Sequence, residues 1–308
     1  MADRPVLIPP ILIVGPNRSG KSLLARCFSC LDRVVWWSEP NTIWRIGNPS
    51  AETDRRNPEE ATSSVKEHIR RAYLKKQKVS GGRRIVDDSP LHCVNVSFVR
   101  QVLPEAKIIH VFRDGRDAVA DVLRSWQKPM YSFNRKTLRF VVRRLRETPA
   151  WEWWTYLPRI VQVISSKAHP RNAQKLIRGV RYPGIEHDVE ILDGIELACK
   201  QWQVCQSLVL NDLAALPPDS YVCVAYEAFV QNPVDVFNGL LQFVDEPMSE
   251  KCELYLRRHI TKQYLRPSGE LDLGSRTLAD IQPLLEPALS RIENFASRTE
   301  PRIGVIRP

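Results

Sequence analysis

The chain has no apolar run that approaches the roughly 20 residues needed to span a bilayer. Its apolar start, residues 6–14, is interrupted by Pro9 and Pro10 and lacks a small-residue cleavage site. Such a stretch predicts a first β-strand and argues against a secretory signal. We therefore expect a cytoplasmic protein without a membrane partner.

Cysteines are too few and too scattered to indicate a disulfide framework or a zinc module. The chain has seven of them, an odd number. Cys27 and Cys30 have the spacing of a redox or zinc pair, but no second pair accompanies them. Both also fall in a predicted helix, which favours buried apolar roles. Internal repeats and low-complexity segments are absent too.

Positive charge is concentrated in one segment of the chain. The net charge is +10, and residues 127–181 contain thirteen Lys and Arg against two acidic residues. Interleaved aromatic residues would fit a nucleic-acid surface, but no pattern of a nucleic-acid-binding module accompanies them. We expect instead an insertion, residues 127–190, that helps to bind an anionic donor or an acidic acceptor. The rest of 1–308 is predicted to form a single domain around it.

Strand and helix patterns alternate along the chain, which predicts an α/β fold. Short apolar runs typical of buried parallel strands are followed by segments with helical spacing. This order is typical of a doubly wound, mostly parallel sheet, here with a helical or loop insertion. The predicted strands are 6–14, 83–90, 106–112 and 220–224, and the predicted helices are 22–31, 94–103, 116–126, 233–244, 250–258 and 277–295, the last with a turn at Pro283.

A glycine loop follows the first predicted strand and has the P-loop pattern Gly15-x-x-x-x-Gly20-Lys21-Ser22. Glycines let several N–H groups converge on one anion, and the following helix adds the positive end of its dipole. Lys21 would place a point charge near the terminal phosphate. Ser22 could bind Mg²⁺ or a phosphate oxygen. The loop therefore predicts a phosphate site.

A second signature lies about ninety residues further on, where the strand 106–112 runs into the clustered arginines Arg113 and Arg116. Ligands on a doubly wound sheet bind beyond the carboxyl ends of the strands, where both signatures fall. One loop can hold the 5′ phosphates of a nucleotide and the other its ribose end. Together they predict a group-transfer enzyme.

Four ordered motifs resemble those of the sulfotransferase family, enzymes that move a sulfuryl group from 3′-phosphoadenosine 5′-phosphosulfate (PAPS). Most of the chain outside residues 127–190 is covered by the resemblance. The motifs are Asn17-Arg18-Ser19-Gly20, which is similar to the family's 5′-phosphosulfate loop; Ile85 to Asp117, similar to its central block; Tyr221 to Phe229 followed by Asn232-Pro233; and Ser38-Glu39-Pro40, where relatives place a substrate-facing Glu.

The resemblance implies a sulfuryl transfer to a hydroxyl or amine of a small-molecule acceptor, without a metal. It implies that Arg18 is the catalytic cation, assisted by Lys21, and that Glu39 is the general base. It also implies that Arg113 and Arg116 belong to the 3′-phosphate segment and that Tyr226 contacts adenine. The implied donor-binding set is Asn17, Arg18, Ser19, Gly20, Lys21, Ser22, Arg113, Asp121 and Tyr226.

Three residues depart from the family pattern. Lys21 stands where the family usually has Thr, Asp88 where it usually has Lys, and Asp121 where it usually has a Ser that helps to hold the 3′-phosphate. An ionised Asp121 would repel that phosphate unless arginines offset it. The same carboxylate suits a free ribose hydroxyl.

These departures keep a second hypothesis open, namely ATP- or GTP-dependent phosphoryl transfer on the same scaffold. Ser22 and Asp87 would then organise Mg²⁺, and Asp121 would bind the ribose. A non-catalytic nucleotide-binding module is a third alternative.

Several of these residues also fit purely structural roles. Glu39 could cap a helix that begins near Asn41, and Asp87 could bond its own turn before Pro90. Arg116 and Asp117 could pair with neighbours and never meet the ligand. His92 and His110 lie in apolar strings and fit packing better than catalysis, and Glu227 is predicted to anchor its turn.

Overall fold

The computed structural model describes residues 6–47, 52–127, 178–265 and 278–298. Most of the predicted insertion, residues 128–177, lies outside these ranges. The sheet has five parallel strands in the order β2-β3-β1-β4-β5. This confirms the doubly wound α/β fold. The strands are β1 Ile11–Val14, β2 Val34–Trp37, β3 Arg84–Asp87, β4 Lys107–Phe112 and β5 Tyr221–Ala225.

β1 is the central strand, and its four residues are completely buried, as the apolar run predicts. Ile11 pairs with Val86 of β3 on one side and with Lys107 of β4 on the other. Parallel pairing brings the carboxyl ends of all five strands to one edge of the sheet. Gly15, Asp88, Arg113 and Tyr226 each follow a strand directly at that edge.

Helices cover both faces of the sheet. They are α1 Lys21–Phe28, α2 Asn41–Trp44, α3 Ser63–Val79, α4 Val96–Val102, α5 Gly115–Gln127, α6 Ile185–Ile191, α7 Gly194–Ala214, α8 Tyr226–Gln231, α9 Pro233–Phe243, α10 Glu250–His259 and α11 Leu278–Arg298. One core packs α2, α3, α4 and part of α7 on one face, and a second packs α1, α8, α9 and α10 on the other. A third cluster joins α5, α7 and α11.

The element list differs from the sequence-based prediction in three ways. β2, α3, α6, α7 and α8 were not predicted, although α3 and α7 carry capping signals: Thr62 accepts a hydrogen bond from the amide of Val65, and Asp193 forms a capping box with Glu196. The predicted turn at Pro283 is wrong, because α11 runs through that proline. Finally, α1 ends earlier than predicted, at Phe28.

All seven cysteines are free. Cys27 is buried inside α1, and Cys30 lies just beyond the helix end and is half-buried. Burial raises the pKa of the Cys27 thiol well above its ordinary range, which keeps it protonated. The prediction of buried apolar roles is confirmed for every cysteine but the half-buried Cys30.

His110 lies in the middle of β4 and is completely buried, as its apolar surroundings predict. Its Nε2 lies 3.2 Å from Nε2 of Gln206, and its Nδ1 lies 3.5 Å from Sγ of Cys223. Desolvation lowers the pKa of His110 from 6.5 to about 4. The imidazole is therefore neutral in the folded protein at pH 7.

The buried His110 predicts an acid sensitivity of folding. Between pH 6.5 and 4, His110 is protonated in the unfolded chain but stays neutral in the folded chain. The free energy of unfolding is therefore highest above this window and decreases as the pH falls through it. Wild type should lose up to about 3 kcal/mol more than His110→Gln across this window. Urea unfolding at several pH values measures this, and identical pH dependences for the two proteins would contradict it.

Candidate active site

A cavity of about 720 Å³ opens at the carboxyl edge of the sheet. Most of the predicted site residues line it, from three separate segments of the chain. Ser19 and Asp87 are exceptions and do not reach the cavity wall. The predicted residues at the wall are Asn17, Arg18, Gly20, Lys21, Ser22, Glu39, Arg113, Asp121 and Tyr226; residues that sequence reasoning did not place in the site include Asp88, Pro90, Ser125, Trp126, Arg178 and Tyr264.

The glycine loop connects β1 to α1 and is tightly packed. A Cβ on Gly15 would lie 2.3 Å from the carbonyl oxygen of Val111, and Arg18 has a left-handed backbone with φ 65°. Ser19 is completely buried, and its hydroxyl has no hydrogen-bond partner among the residues that the structure describes. A buried hydroxyl without a partner in an anion-binding loop is the feature that a phosphate oxygen would satisfy.

Lys21 begins α1 and is almost completely buried. Its ammonium donates hydrogen bonds to the carbonyl oxygens of Gly15 at 2.8 Å and Pro16 at 2.6 Å. Desolvation lowers its pKa below the ordinary 10.5, and the nearby carboxylates of Asp88 and Glu39 partly oppose this. The ammonium therefore rests on its own loop and has to turn outward to meet an anion.

Asp88 binds three parts of the site at once. Its Oδ2 accepts a hydrogen bond from the hydroxyl of Ser22 at 2.7 Å. Its Oδ1 accepts one from Nε1 of Trp36 at 2.9 Å and one from the backbone amide of Glu39 at 3.1 Å. Sequence reasoning noted Asp88 as a departure from the family pattern and, together with Asp87, as a strand-end carboxylate in the Mg²⁺-nucleotide arrangement of P-loop kinases. Its position directly after a buried strand was the available signal.

Asp87 points away from the cavity into the core. It accepts hydrogen bonds from the hydroxyl of Tyr73 at 2.5 Å, from Nε1 of Trp44 at 3.0 Å and from the amide of Ser89 at 2.7 Å. Burial opposes its ionisation, but His92, 3.1 Å away, and these hydrogen bonds lower its pKa below the usual range. The turn bond predicted before Pro90 is confirmed, and Asp87 does not meet Ser22.

Glu39 lies at the cavity wall in a left-handed backbone conformation with φ 46°. Its carbonyl oxygen accepts a hydrogen bond from the amide of Asn41 at 2.7 Å. The N-cap position of α2 belongs to Pro40, and the helix has no side-chain cap. The alternative role of Glu39 as a helix cap is therefore wrong.

Asp121 is shared between two arginines. Arg113 donates to its Oδ2 at 2.6 Å, and Arg124 donates to its Oδ1 at 2.8 Å. Burial works against ionisation, but the hydrogen bond from Arg113 and the charge of Arg124 lower the pKa of Asp121 below its usual range. Asp121 is therefore an anion whose charge both arginines offset. Arg113 also donates to the carbonyl oxygen of Arg18 at 3.2 Å, which ties this end of the site to the glycine loop.

Tyr226 forms a wall between the glycine loop and Arg113. The guanidinium of Arg113 lies 4.7 Å from the centre of the Tyr226 ring. The Tyr226 hydroxyl donates to the carbonyl oxygen of Tyr264 at 3.1 Å. Burial raises the pKa of Tyr226 to about 12, so it stays a neutral phenol at pH 7.

Residues next to Tyr226 have structural roles. Glu227 accepts a hydrogen bond from the amide of Asp114 at 3.1 Å and so anchors the turn after β4, whereas the prediction was that it anchors its own turn. Arg116 pairs with Asp114 at 2.5 Å and does not line the cavity. Its reading as a residue that pairs with a neighbour is confirmed.

The far wall of the cavity is built where the chain leaves and re-enters the described structure. Arg178 donates a hydrogen bond to the carbonyl oxygen of Trp126 at 2.5 Å. Nε2 of Gln201 donates to the carbonyl oxygens of Arg178 at 3.0 Å and Val180 at 2.8 Å. A Cβ on Gly179 would lie 2.5 Å from the Asn17 side chain. Both ends of segment 128–177 are thus fixed at the cavity.

The described part of the chain has neither a cluster of metal ligands nor a helix that could span a membrane. Residues 6–47, 52–127, 178–265 and 278–298 contain no group of three or more His, Cys, Asp or Glu that could hold a metal ion. Within the same ranges, no helix has the length and apolar character to cross a membrane.

Solved structures with the same fold are sulfotransferases. The sulfotransferase domain of the Synechococcus PCC 7002 olefin synthase is 15% identical, covers 96% of both chains and has a TM-score of 0.52. Sulfotransferase STF9 from Mycobacterium avium is 15% identical over 94% of this chain and 77% of its own, with a TM-score of 0.53. The sulfotransferase domain from the curacin biosynthetic pathway is 14% identical over 95% and 98%, with a TM-score of 0.51. No curated protein matches the chain.

The fold and the glycine loop define an α/β protein with a P-loop pattern at the carboxyl edge of its sheet. A model of the sulfotransferase family matches residues 9–156, which include the glycine loop, Asp88 and the strand-end arginines. Over this part, slightly less than half of its length, the chain is similar to the sulfotransferase family.

The contact between Gly20 and Tyr226 predicts a site-specific cost of adding a methyl group. Gly20→Ala would place Cβ 2.3 Å from the Tyr226 ring at φ 100°, whereas Gly81→Ala would add it at φ 73° with nothing within 4 Å. Both variants should lose the roughly 1–2 kcal/mol of a left-handed alanine. Gly20→Ala should lose about 1–3 kcal/mol more through the clash. Urea unfolding measures the free energy of unfolding of both variants. Equal losses would show that the Tyr226 ring moves aside without a measurable cost.

Proposed function

We propose that this protein is a sulfotransferase, which moves a sulfuryl group from PAPS to a hydroxyl or amine of a small-molecule acceptor. The observation that carries the proposal is the placement of the glycine loop and Arg113 around one cavity of about 720 Å³. A donor with phosphates at both its 5′ and 3′ ends needs cations at two separated points. The proposal assigns the glycine loop to the first and Arg113 to the second.

The polar groups at the wall fit such a donor. Arg113 lines the cavity, and its buried Nε has no hydrogen-bond partner among the described residues, so it can donate to a phosphate oxygen. The helix that begins at Lys21 directs its positive dipole end at the same space. The cavity wall carries the cations Arg18, Lys21, Arg113 and Arg178 and the carboxylates of Glu39, Asp88 and Asp121.

In the proposed mechanism the bond between sulfur and the 5′-phosphate oxygen breaks as the acceptor oxygen or nitrogen bonds to sulfur. Arg18 and Lys21 stabilise the negative charge that develops on the departing phosphate. Glu39 takes the proton that the acceptor loses. All three residues line the cavity, which is the geometric condition for these roles.

We also propose that the acceptor binds beside the insertion 127–190. Trp126 directly precedes this segment, Arg178 and Gly179 lie within it, and all three line the cavity. If the acceptor carries negative charge, its apparent affinity should fall with added salt, because screening acts over about 8–10 Å at physiological ionic strength.

One contact favours phosphoryl transfer from ATP as a second candidate. A P-loop serine bonded to a strand-end carboxylate is the pair that holds Mg²⁺ in nucleotide-hydrolysing enzymes, and Ser22 bonds to Asp88 in this way. Two observations weigh against it. Asp88 already accepts three hydrogen bonds, and Asp121 faces two arginines where the kinase hypothesis needs it to face a ribose hydroxyl.

The donor can be tested by thermal unfolding with 3′-phosphoadenosine 5′-phosphate (PAP), the product of the proposed donor, and with ADP. A ligand at about 100 times its Kd stabilises the fold by about 2.7 kcal/mol. We expect PAP to raise the Tm without Mg²⁺ and ADP to raise it less. Stabilisation by ATP that needs Mg²⁺, with none by PAP, would replace the proposal by the kinase alternative.

Removing either loop cation should slow the reaction. Arg18→Ala and Lys21→Ala should each lower turnover by about a hundredfold or more, because each removes a positive charge that the proposed mechanism requires at the leaving phosphate. Initial rates of PAP release measure the loss, with circular dichroism as the check on folding. Arg116→Ala is the matched control, since Arg116 pairs with Asp114 outside the cavity. Normal turnover in a folded Lys21→Ala would remove that lysine from the mechanism.

Asp121→Ser separates the two donors. It removes an anion that Arg113 and Arg124 now share and leaves the guanidinium of Arg113, which lines the cavity, without this carboxylate partner. PAP binding should stay the same or become tighter. If ATP is the donor, the same change should weaken its binding by roughly 0.5–3 kcal/mol, the size of a lost hydrogen bond. Isothermal titration with both nucleotides decides between these results.

A further inference from the structure

Asp88 joins three segments that meet at the cavity. It follows β3, is 1% exposed and bonds to Ser22 in the first turn of α1, to Trp36 in β2 and to Glu39 in the loop after β2. Ser22 and Glu39 are 66 and 49 positions away from it in the chain. The carboxylate therefore links the phosphate loop to the loop that carries the proposed base.

The bond to Glu39 has a conformational consequence. Glu39 has φ 46°, a left-handed conformation that costs a non-glycine residue roughly 1–2 kcal/mol. Its amide donates to Oδ1 of Asp88 at 3.1 Å, and a hydrogen bond to a buried acceptor offsets a cost of this size. This bond holds the backbone of Glu39 in the conformation in which its side chain lies at the cavity wall.

The bond to Ser22 fixes the first turn of α1 relative to Asp88. A hydroxyl has one hydrogen, and that of Ser22 is committed to Oδ2 of Asp88 at 2.7 Å. Only the oxygen lone pairs of Ser22 are then free, and they cannot donate to a phosphate. The position of the first turn of α1 and the position of Glu39 are consequently set by the two oxygens of one carboxylate.

We propose that Asp88 is a positioning residue, which acts through Glu39 and Ser22 and does not itself touch the reacting atoms. The inference rests on the proposed function in one respect, the role of Glu39 as the base. The charge of Asp88 is secondary in this assignment, because what positions Glu39 and Ser22 is the hydrogen bonds that its two fixed oxygen atoms accept. An uncharged side chain that keeps an acceptor oxygen at the same position should therefore substitute for it.

The test compares Asp88→Ala, which removes both acceptor oxygens, with Asp88→Asn, which keeps one where Trp36 and Glu39 can use it. The readout is hydrogen exchange at the Glu39 amide in the ligand-free protein. We expect exchange to be faster by about tenfold or more in Asp88→Ala, since a bond to a charged acceptor is lost. In Asp88→Asn it should stay within about threefold of wild type.

Asp87→Asn is the matched control, because Asp87 is the neighbouring buried carboxylate and its bonds lie in the core. It should lower the Tm while leaving exchange at Glu39 unchanged. Should Asp88→Ala fail to fold, Asp88→Ser replaces it, since a serine hydroxyl is too short to reach the Glu39 amide. Wild-type exchange at Glu39 in the folded Ala or Ser variant would overturn the proposal.

Binding of PAP to the same proteins separates this inference from the proposed donor. If PAP binds wild type, Asp88→Asn should keep its affinity within about threefold, whereas loss of binding in both Asn and Ala variants would assign Asp88 a charge or metal role and overturn the inference. If PAP does not bind wild type, the donor proposal fails, and the exchange rates in the ligand-free proteins still decide the role of Asp88.

Discussion

The cavity depends on the parallel pairing of β1 with β3 and β4. Because β1 is central, the residues that follow its two neighbours must emerge beside the glycine loop at its own end. That constraint brings Asp88 and Arg113 to opposite sides of one loop. Burial of all four residues of β1 holds the register, since a slip by one position would reverse the faces of the flanking strands.

The three departures from the family pattern are each compensated by charge within the structure. Lys21 lies near the carboxylates of Asp88 and Glu39, whose negative charge partly offsets the desolvation of its buried ammonium. Asp121 is matched by Arg113 and Arg124. The substitutions are therefore best understood as a set, in which a cation gained at the loop accompanies an anion gained at the next strand end.

Local patterns predicted the fold class and most of the cavity wall, whereas long-range contacts did not follow from the sequence. The apolar run at Ile11–Val14 and the glycine spacing act within a few residues, so both could be read directly. β2 was not predicted although it has the same length as β1, because its apolar run is confined to Val34–Trp37 between Arg33 and Ser38, whereas β1 lies in the longer run 6–14. The bonds of Asp88 to Ser22 and of Arg178 to Trp126 span 66 and 52 positions, and only the folded chain brings these pairs together.

The bond between Arg178 and Trp126 also bears on how such a protein can diversify. It holds Trp126 and Arg178, which are 52 positions apart in the chain, side by side at the cavity. The entropic cost of bringing two chain positions together grows only slowly with the number of residues between them, so a change in that number costs the fold little. The sequence between Trp126 and Arg178 can therefore vary in length during evolution while the carboxyl edge of the sheet is inherited unchanged.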